Sequence, residues 1–170
     1  VDTKGITIVS YLVVREIGDM FLAGKSAEEI MAWADREIDC FSQYFFADDL
    51  KFFRRSGRVS GISATMGTLL GIRPIIYMNA EGKMVSRSKE RGRERALARH
   101  VSFMEEMGDD LTSHRVIIGH TDAPELADEL ESMICERFGN LNIEIVCTNP
   151  TAGSHCGPNG VGVAFHSKHR

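Results

Sequence analysis

The sequence predicts an α/β fold in which a mixed sheet is flanked by helices. The main observation is a strand-helix-strand unit in the last third of the chain. Residues 115–118 and 143–147 are short apolar segments typical of buried strands, and residues 123–138 carry apolar side chains at helical spacing. Two strands joined by a helix are parallel with a right-handed crossover.

A hairpin supplies the antiparallel part of this sheet. Residues 73–78 and 83–88 have strand composition, and the turn sequence Asn-Ala-Glu-Gly lies between them at residues 79–82. Another short strand is predicted at residues 43–47. A sheet that contains both a parallel pair and a hairpin is mixed.

The other helices are predicted from apolar residues at helical spacing and from their end signals. They cover residues 6–23, 26–41, a short segment after 48–49, residues 62–72 and residues 91–107. Ser26 and Glu29 predict a capping box. Asp122 and Glu125 predict a second capping box for the helix that ends at Gly139.

Composition limits the classes of function. The chain has 170 residues, 43% of them hydrophobic and 26% charged, with a formal net charge of -4, which does not favour binding to nucleic acid. No apolar run approaches the roughly 20 residues of a membrane span. Four cysteines without a Cys-x-x-Cys pair indicate reduced thiols and a cytoplasmic protein. His155 and Cys156 are adjacent, which is a poor spacing for metal ligands, so we expect no metal site.

The glycine-rich segment 151–165 is the strongest local signal. It presents one histidine, His155, among glycines and a proline, and we expect a shaped loop followed by a short strand. His120 follows another predicted strand. Because sites in such sheets form beyond the carboxyl ends of the strands, His120 and His155 are expected to face one cleft.

Two chemistries remain open for His155. It can donate a hydrogen bond to a bound anion such as a carboxylate. Alternatively, it can act as general base in a small hydrolase or transferase, with Ser154, Ser60 or Cys156 as nucleophile. The structural alternative is that His155 bonds only to its own loop. For the chain as a whole, an oligomeric scaffold fragment is a third interpretation.

Basic residues crowd the start of the helix predicted at 91–107. They are Lys89, Arg91, Arg93, Arg95 and Arg99. Cations at a helix N-terminus oppose the helix dipole, and this mild conflict is a weak indication of a binding face. The alternative is an ordinary solvated surface, balanced by Glu90 and Glu94.

Five motifs in order along the chain together resemble the DegV family of bacterial fatty acid-binding proteins. They are Gly-Arg-Val-Ser at 57–60, Gly-Thr-Leu-Leu-Gly-Ile-Arg-Pro-Ile at 67–75, Arg-Gly-Arg at 91–93, His-Thr-Asp-Ala-Pro at 120–124 and His-Cys-Gly-Pro-Asn-Gly-Val-Gly at 155–162. Asp2-Thr3 resembles the Asp-Ser that ends a strand in the N-terminal domain of the family.

The resemblance implies a two-domain α/β protein that carries a long-chain fatty acid in an apolar tunnel. It implies no cofactor and no catalysis by the chain itself, because a partner, the ATP-binding subunit of fatty acid kinase, phosphorylates the presented carboxylate. His155 occupies the histidine of the carboxylate network, with Ser154 and Gly157 beside it. The apolar wall is expected to include Met66, Leu69, Leu70 and Ile72.

The resemblance also implies partner contacts and domain limits. Arg58 and Arg91, with Arg93, match arginines that dock the kinase subunit. The threonine and serine that hold the carboxylate in the family would lie before Val1, so we expect a C-terminal portion. Residues 1–43 are then a remnant of the N-terminal lipid-binding domain, and residues 44–170 are the C-terminal α/β domain.

Overall fold

A mixed sheet of six strands forms the centre of the computed structural model, which describes residues 1–58 and 71–170. The strands are β1 (Phe41–Phe46), β2 (Ile72–Met78), β3 (Met84–Arg91), β4 (Val116–Thr121), β5 (Ile143–Cys147) and β6 (Gly160–His166). Their order across the sheet is β3-β2-β1-β6-β4-β5. The pair β4–β5 is parallel and the other neighbours are antiparallel, as the predicted crossover and hairpin require.

Helices cover both faces of this sheet. Those of the described residues are α1 (Thr7–Leu22), α2 (Ala27–Glu37), α3 (Lys51–Arg55), α4 (Arg93–Met107), α5 (Pro124–Phe138) and α6 (Pro150–Cys156), with a 3-10 turn at Ile38–Cys40. The predicted α/β class, with a mixed sheet and flanking helices, is confirmed. None of these helices has the length and apolar content needed to cross a membrane.

Side chains alternate between the two faces along each central strand. On β6, Val163 and Phe165 pack with α4 and α5, whereas Ala164 packs with α1 and α2. β4 repeats this pattern, with Ile118 on the first face and Ile117 on the second. The central strands of the sheet are therefore buried on both faces.

Two of the predicted helix starts have different outcomes. Ser26 forms the predicted capping box, since its hydroxyl accepts from the Glu29 amide and the Glu29 carboxylate accepts from the Ser26 amide. The capping box predicted for Asp122 and Glu125 is wrong. Asp122 has a φ of 50°, Ala123 occupies the N-cap, and the ring of His120 accepts from the Ala123 amide at 3.2 Å.

The remaining predictions depend on where the elements end. The helix predicted over 62–72 lies outside the described residues except at its end, where Ile72 begins β2 instead. The proposed division between residues 43 and 44 stays a prediction. It would lie within β1, and α1 packs directly on the sheet through Val9 and Leu12.

Candidate functional site

A cavity of about 490 Å³ lies near the carboxyl end of β1 and beside α6. Its apolar lining consists of Ile6, Phe45, Phe53, Met84, Ala152 and Cys156. Its polar lining consists of Thr7, Arg58, Asn149, Thr151 and His155. The volume lies within the roughly 300–1,000 Å³ of small-molecule sites, and an apolar wall with few polar groups is typical of them.

His155 reaches this cavity from a short helix and not from the loop that the glycines predicted. The side chain of Asn149 caps α6 by accepting from the Ala152 amide at 2.9 Å, and Pro150 occupies the first helical position. His155 is half-buried in the last turn. Its ring atom Nδ1 is buried without a hydrogen-bond partner among the described residues. A buried polar atom without a partner costs free energy, which a ligand can recover.

The turn after α6 is held in place by two contacts. Gly157 has a φ of 72°, and a Cβ at this position would collide with the ring of Phe52. The hydroxyl of Thr121 donates to the carbonyl of Gly157 at 2.5 Å and accepts from the Gly160 amide at 2.8 Å. Because β4 and β6 are both anchored to this turn, α6 and its histidine have a fixed position.

A smaller cavity of about 50 Å³ adjoins the first and includes His120 in its lining. The two cavities share Ile6, Thr7, Phe45, Ala152 and Cys156. His120 and His155 therefore line adjacent cavities, and the prediction that they face one cleft stays a prediction. The Nδ1 atom of His120 is already used at the start of α5, so its role there is structural.

The geometry does not support the predicted nucleophiles among the described residues. The hydroxyl of Ser154 is exposed and donates to the carbonyl of Thr151 at 2.8 Å. Burial raises the pKa of the Cys156 thiol to about 11, so the reactive thiolate is scarce at neutral pH. Ser60 lies outside the described residues. Anion binding by His155 is thus favoured over the hydrolase alternative.

The three predicted partner-binding arginines lie at this same end of the sheet. Arg58 is exposed and lines the cavity. Arg91 is exposed at the end of β3, opposite Ile72 in the strand register. Arg93 is exposed and pairs with the carboxylate of Asp48 at 2.7 Å, which also binds Arg73. These two arginines hold the pKa of Asp48 below its usual value, against the opposing effect of its burial.

The predicted lipid-contact residues are only partly brought together. His155 lines the cavity, whereas Ser154, Gly157 and the half-buried Ile72 are not among its described lining residues. Met66, Leu69 and Leu70 lie outside the described residues. The roles predicted for all seven remain predictions.

Sequence reasoning missed Thr7, Phe45, Met84 and Asn149 as lining residues. Thr7 is the most informative of them, because it is a β-branched residue with a φ of 52° at the start of α1. Such a backbone is strained, and strained residues are found at functional sites more often than elsewhere. Only the Asn149-Pro150 pair, a cap followed by proline, carried a signal that the sequence could have revealed.

The sequence model of the DegV family, described as a family of uncharacterised proteins, matches residues 1–168. A DegV domain-containing protein of Clostridium perfringens is 31% identical over 165 residues, which are 97% of this chain and 57% of that relative. The chain thus spans less than two thirds of the length of that relative.

Solved structures give the same overall likeness. A fatty acid-binding DegV family protein of Streptococcus agalactiae superposes with a TM-score of 0.78 at 26% identity, over 92% of this chain and 55% of that one. The fatty acid kinase (Fak) B3 protein of Streptococcus pneumoniae, loaded with linoleic acid, superposes with a TM-score of 0.80 at 19% identity. That match covers 91% of this chain and 54% of the other, and it shows a shared fold.

Proposed function

Because this chain belongs to the DegV family, we propose that it binds a long-chain fatty acid and presents the carboxylate to a partner kinase. The acyl chain lies against the apolar side of the cavity, and the carboxylate lies at His155. The observation that carries this proposal is His155 on the wall of a largely apolar cavity, with its Nδ1 buried and without a hydrogen-bond partner among the described residues.

The apolar lining accounts for the acyl chain. Each methylene removed from water contributes roughly 0.8 kcal/mol, so affinity for long chains needs only a dry wall of adequate length. Phe45 of β1, Phe53 of α3 and Met84 of β3 form such a wall. Methionine is flexible and adapts to chains of different shape. The Streptococcus agalactiae protein is described as fatty acid-binding, which is consistent with this type of ligand.

The polar lining accounts for the head group. An imidazole N–H can donate to a carboxylate, and such charge-assisted bonds are stronger than neutral ones. Thr7 and Arg58 lie on the same wall and offer a hydroxyl and a guanidinium. The cavity therefore combines an apolar wall with hydrogen-bond donors for an anion. Among the described residues it offers no activated nucleophile.

The kinase partner follows from the name of the Streptococcus pneumoniae neighbour and from the position of the arginines. Arg58 and Arg91 are exposed at the cavity end of the sheet, and Arg93 lies just beyond Arg91. A partner that binds this surface would approach the carboxylate directly. The reaction itself then belongs to the partner, and this chain needs no cofactor.

The test is binding of a long-chain fatty acid to the delipidated protein, measured by calorimetry. We expect His155→Gln to weaken binding by about tenfold, which corresponds to about 1.4 kcal/mol, the range of a hydrogen bond to a charged group. His169→Gln is the matched control, since His169 is exposed and does not line the cavity. Equal affinity of the two variants would contradict the role of His155.

A further inference from the structure

A second group of potential ligands lies at the opposite end of the sheet from the cavity. The carboxylate of Glu37, the thiol of Cys40 and the imidazole of His166 place one ligand atom each within 4.8 Å of the other two. Phe45 on the cavity wall is four residues along β1 from Phe41, the strand partner of His166, which is roughly 13 Å at about 3.3 Å per residue. This cluster is therefore separate from the proposed lipid site.

The fold holds these three residues together through two local features. Glu37 ends α2 and Cys40 ends the following 3-10 turn, and a spacing of three residues places both side chains on one side of a helical turn. His166 ends β6 opposite Phe41, the residue after Cys40. The carbonyl of Cys40 also accepts from the Ser167 amide at 2.6 Å. The cluster is thus built on hydrogen-bonded elements and not on a loop.

The hydrogen bonds of His166 leave one ring nitrogen directed at the cluster. Nδ1 lies 2.9 Å from the backbone carbonyl of Asp109, and a carbonyl can only accept, so Nδ1 carries the proton. In the neutral ring, Nε2 then has a free lone pair. Such a bond from the other ring nitrogen to a carbonyl is the usual outer contact of a metal-bound histidine.

The surroundings of Nε2 offer no other partner among the described residues. His166 is 6% exposed, and Nε2 has no hydrogen bond. It lies 3.6 Å from a carboxylate oxygen of Glu37. A lone pair and a carboxylate at this distance repel unless a proton on Nε2 or a metal ion lies between them. Two ligands of one tetrahedral metal ion, at about 2.0 Å from it, lie about 3.3 Å apart, close to this separation.

We propose that Cys40 Sγ, His166 Nε2 and the Glu37 carboxylate bind a divalent zinc ion. Sulfur, nitrogen and oxygen together form a borderline-soft donor set that suits Zn²⁺ better than Mg²⁺ or Ca²⁺. Binding releases the thiol proton of Cys40 to solvent, because the thiolate is the ligand. A water molecule completes the tetrahedron.

Neighbouring side chains are accounted for in this arrangement. The ring of His114 stacks on His166 with centroids 3.9 Å apart, and its Nδ1 faces Glu16 at 3.4 Å, so it supports the first ring without entering the site. Asp109 Oδ2 lies on the Nδ1 side of His166, at 4.0 Å. A bound ion would join the end of α2 to β6, two segments far apart in the sequence. The role of the ion is thus structural, because it stabilises the contact between these two segments.

The first test is a Co²⁺ titration of the tag-free protein, followed by near-ultraviolet absorption. We expect a thiolate-to-cobalt band in the wild type that Zn²⁺ abolishes by displacement. The band should disappear in Cys40→Ser and His166→Gln and persist in Cys147→Ser, whose cysteine is exposed elsewhere. No band, or a band that depends on Cys147, would overturn the proposal.

The second test needs no variant, so it stands even if His166→Gln fails to fold. Alkylation of each cysteine is followed by mass spectrometry with and without Zn²⁺. Because a metal-bound thiolate is shielded, Zn²⁺ should slow the alkylation of Cys40 on the order of tenfold and leave Cys147 unchanged. Equal slowing of both cysteines, or of neither, would refute a site at Cys40.

Discussion

His100 shows how one buried side chain makes stability depend on pH. It is fully buried in α4, its ring meets that of Phe46 edge to face, and Nδ1 donates to the carbonyl of Ala96 at 2.6 Å. Burial disfavours the charged ring and lowers the pKa of His100 to about 4. In the unfolded chain the pKa returns to its ordinary value of 6.5.

We predict that this histidine destabilises the fold as pH falls from about 6.5 toward 4. In that range the unfolded chain binds a proton that the folded chain rejects, so the free energy of unfolding falls by up to about 1.4 kcal/mol per pH unit. Above that range both states are neutral and the effect vanishes. Urea denaturation at pH 7.5 and 5.5 should show a smaller pH effect in His100→Gln, by about 1 kcal/mol.

The comparison isolates His100 because other groups titrate equally in both proteins. His114 acts with the opposite sign, since its hydrogen bond to Glu16 raises its pKa and favours the folded state at low pH. Identical pH effects in wild type and His100→Gln would mean that the folded protein accommodates the charged ring.

The starts of α2 and α5 contrast a helix that is capped by its own side chains with one that is not. Ser26 and Glu29 satisfy two amide donors reciprocally at the start of α2. At α5 the imidazole of His120 takes the place of the predicted Asp122 cap and binds the Ala123 amide. The start of α2 is therefore determined by residues of the local sequence. The start of α5 depends instead on His120, which lies in β4.

We predict that Ser26→Ala lowers the free energy of unfolding by about 1 kcal/mol, as loss of a capping hydroxyl does. Asp122→Gly should leave stability unchanged or raise it. The Asp122 side chain caps nothing in α5, and glycine adopts its φ of 50° without strain. Thermal unfolding of the two variants measures both effects. If Asp122→Gly lowered the stability more than Ser26→Ala, Asp122 would have to be the N-cap of α5 after all.

Elements with strong local signals were predicted from sequence, and those fixed by distant contacts were not. The parallel pair β4–β5 and the hairpin β2–β3 follow from their apolar segments and turn residues. Helix α6 was predicted as a loop because Gly153 and the nearby Gly157 weigh against helix, although Asn149 and Pro150 start one.

The same difference applies to the two sites. His155 was found because its glycine-rich setting is a local pattern. Thr7 and Phe45, which line the same cavity, come from segments whose approach depends on the packing of α1 and β1. The cluster of Glu37, Cys40 and His166 depends on a pairing between distant strands, which spacing in the sequence cannot reveal.

At the scale of the whole molecule, the cavity and the exposed arginines lie at the same end of the sheet. β1 and β2 are antiparallel, so the start of β2 and the end of β3 lie beside the end of β1, where Phe45 lines the cavity. Arg91 and Arg58 are exposed there. A partner that docks on this end meets the ligand opening and the basic residues together.

We predict that Arg58→Glu and Arg91→Glu weaken pairing with the kinase subunit of the same organism in a pull-down. Charge reversal at a rim mainly changes association through long-range electrostatics. Arg137→Glu, on the exposed surface of α5, is the control and should pair normally. Retained pairing in both test variants would contradict the docking surface.

Fatty acid binding should be measured in the same variants. Arg91→Glu is expected to leave it unchanged, since Arg91 does not line the described part of the cavity. Arg58 does line it, so its variant shows whether that guanidinium serves the ligand in addition to the partner.

The position of β6 also bears on how the protein is made. β6 is the last strand in chain order, yet it sits between β1 and β4 and joins the two halves of the sheet. During synthesis on the ribosome, the β1–β2–β3 meander and the β4–β5 pair emerge before the segment that unites them. Until that segment pairs with them, β1 and β4 each have an unpaired strand edge, which is prone to aggregation.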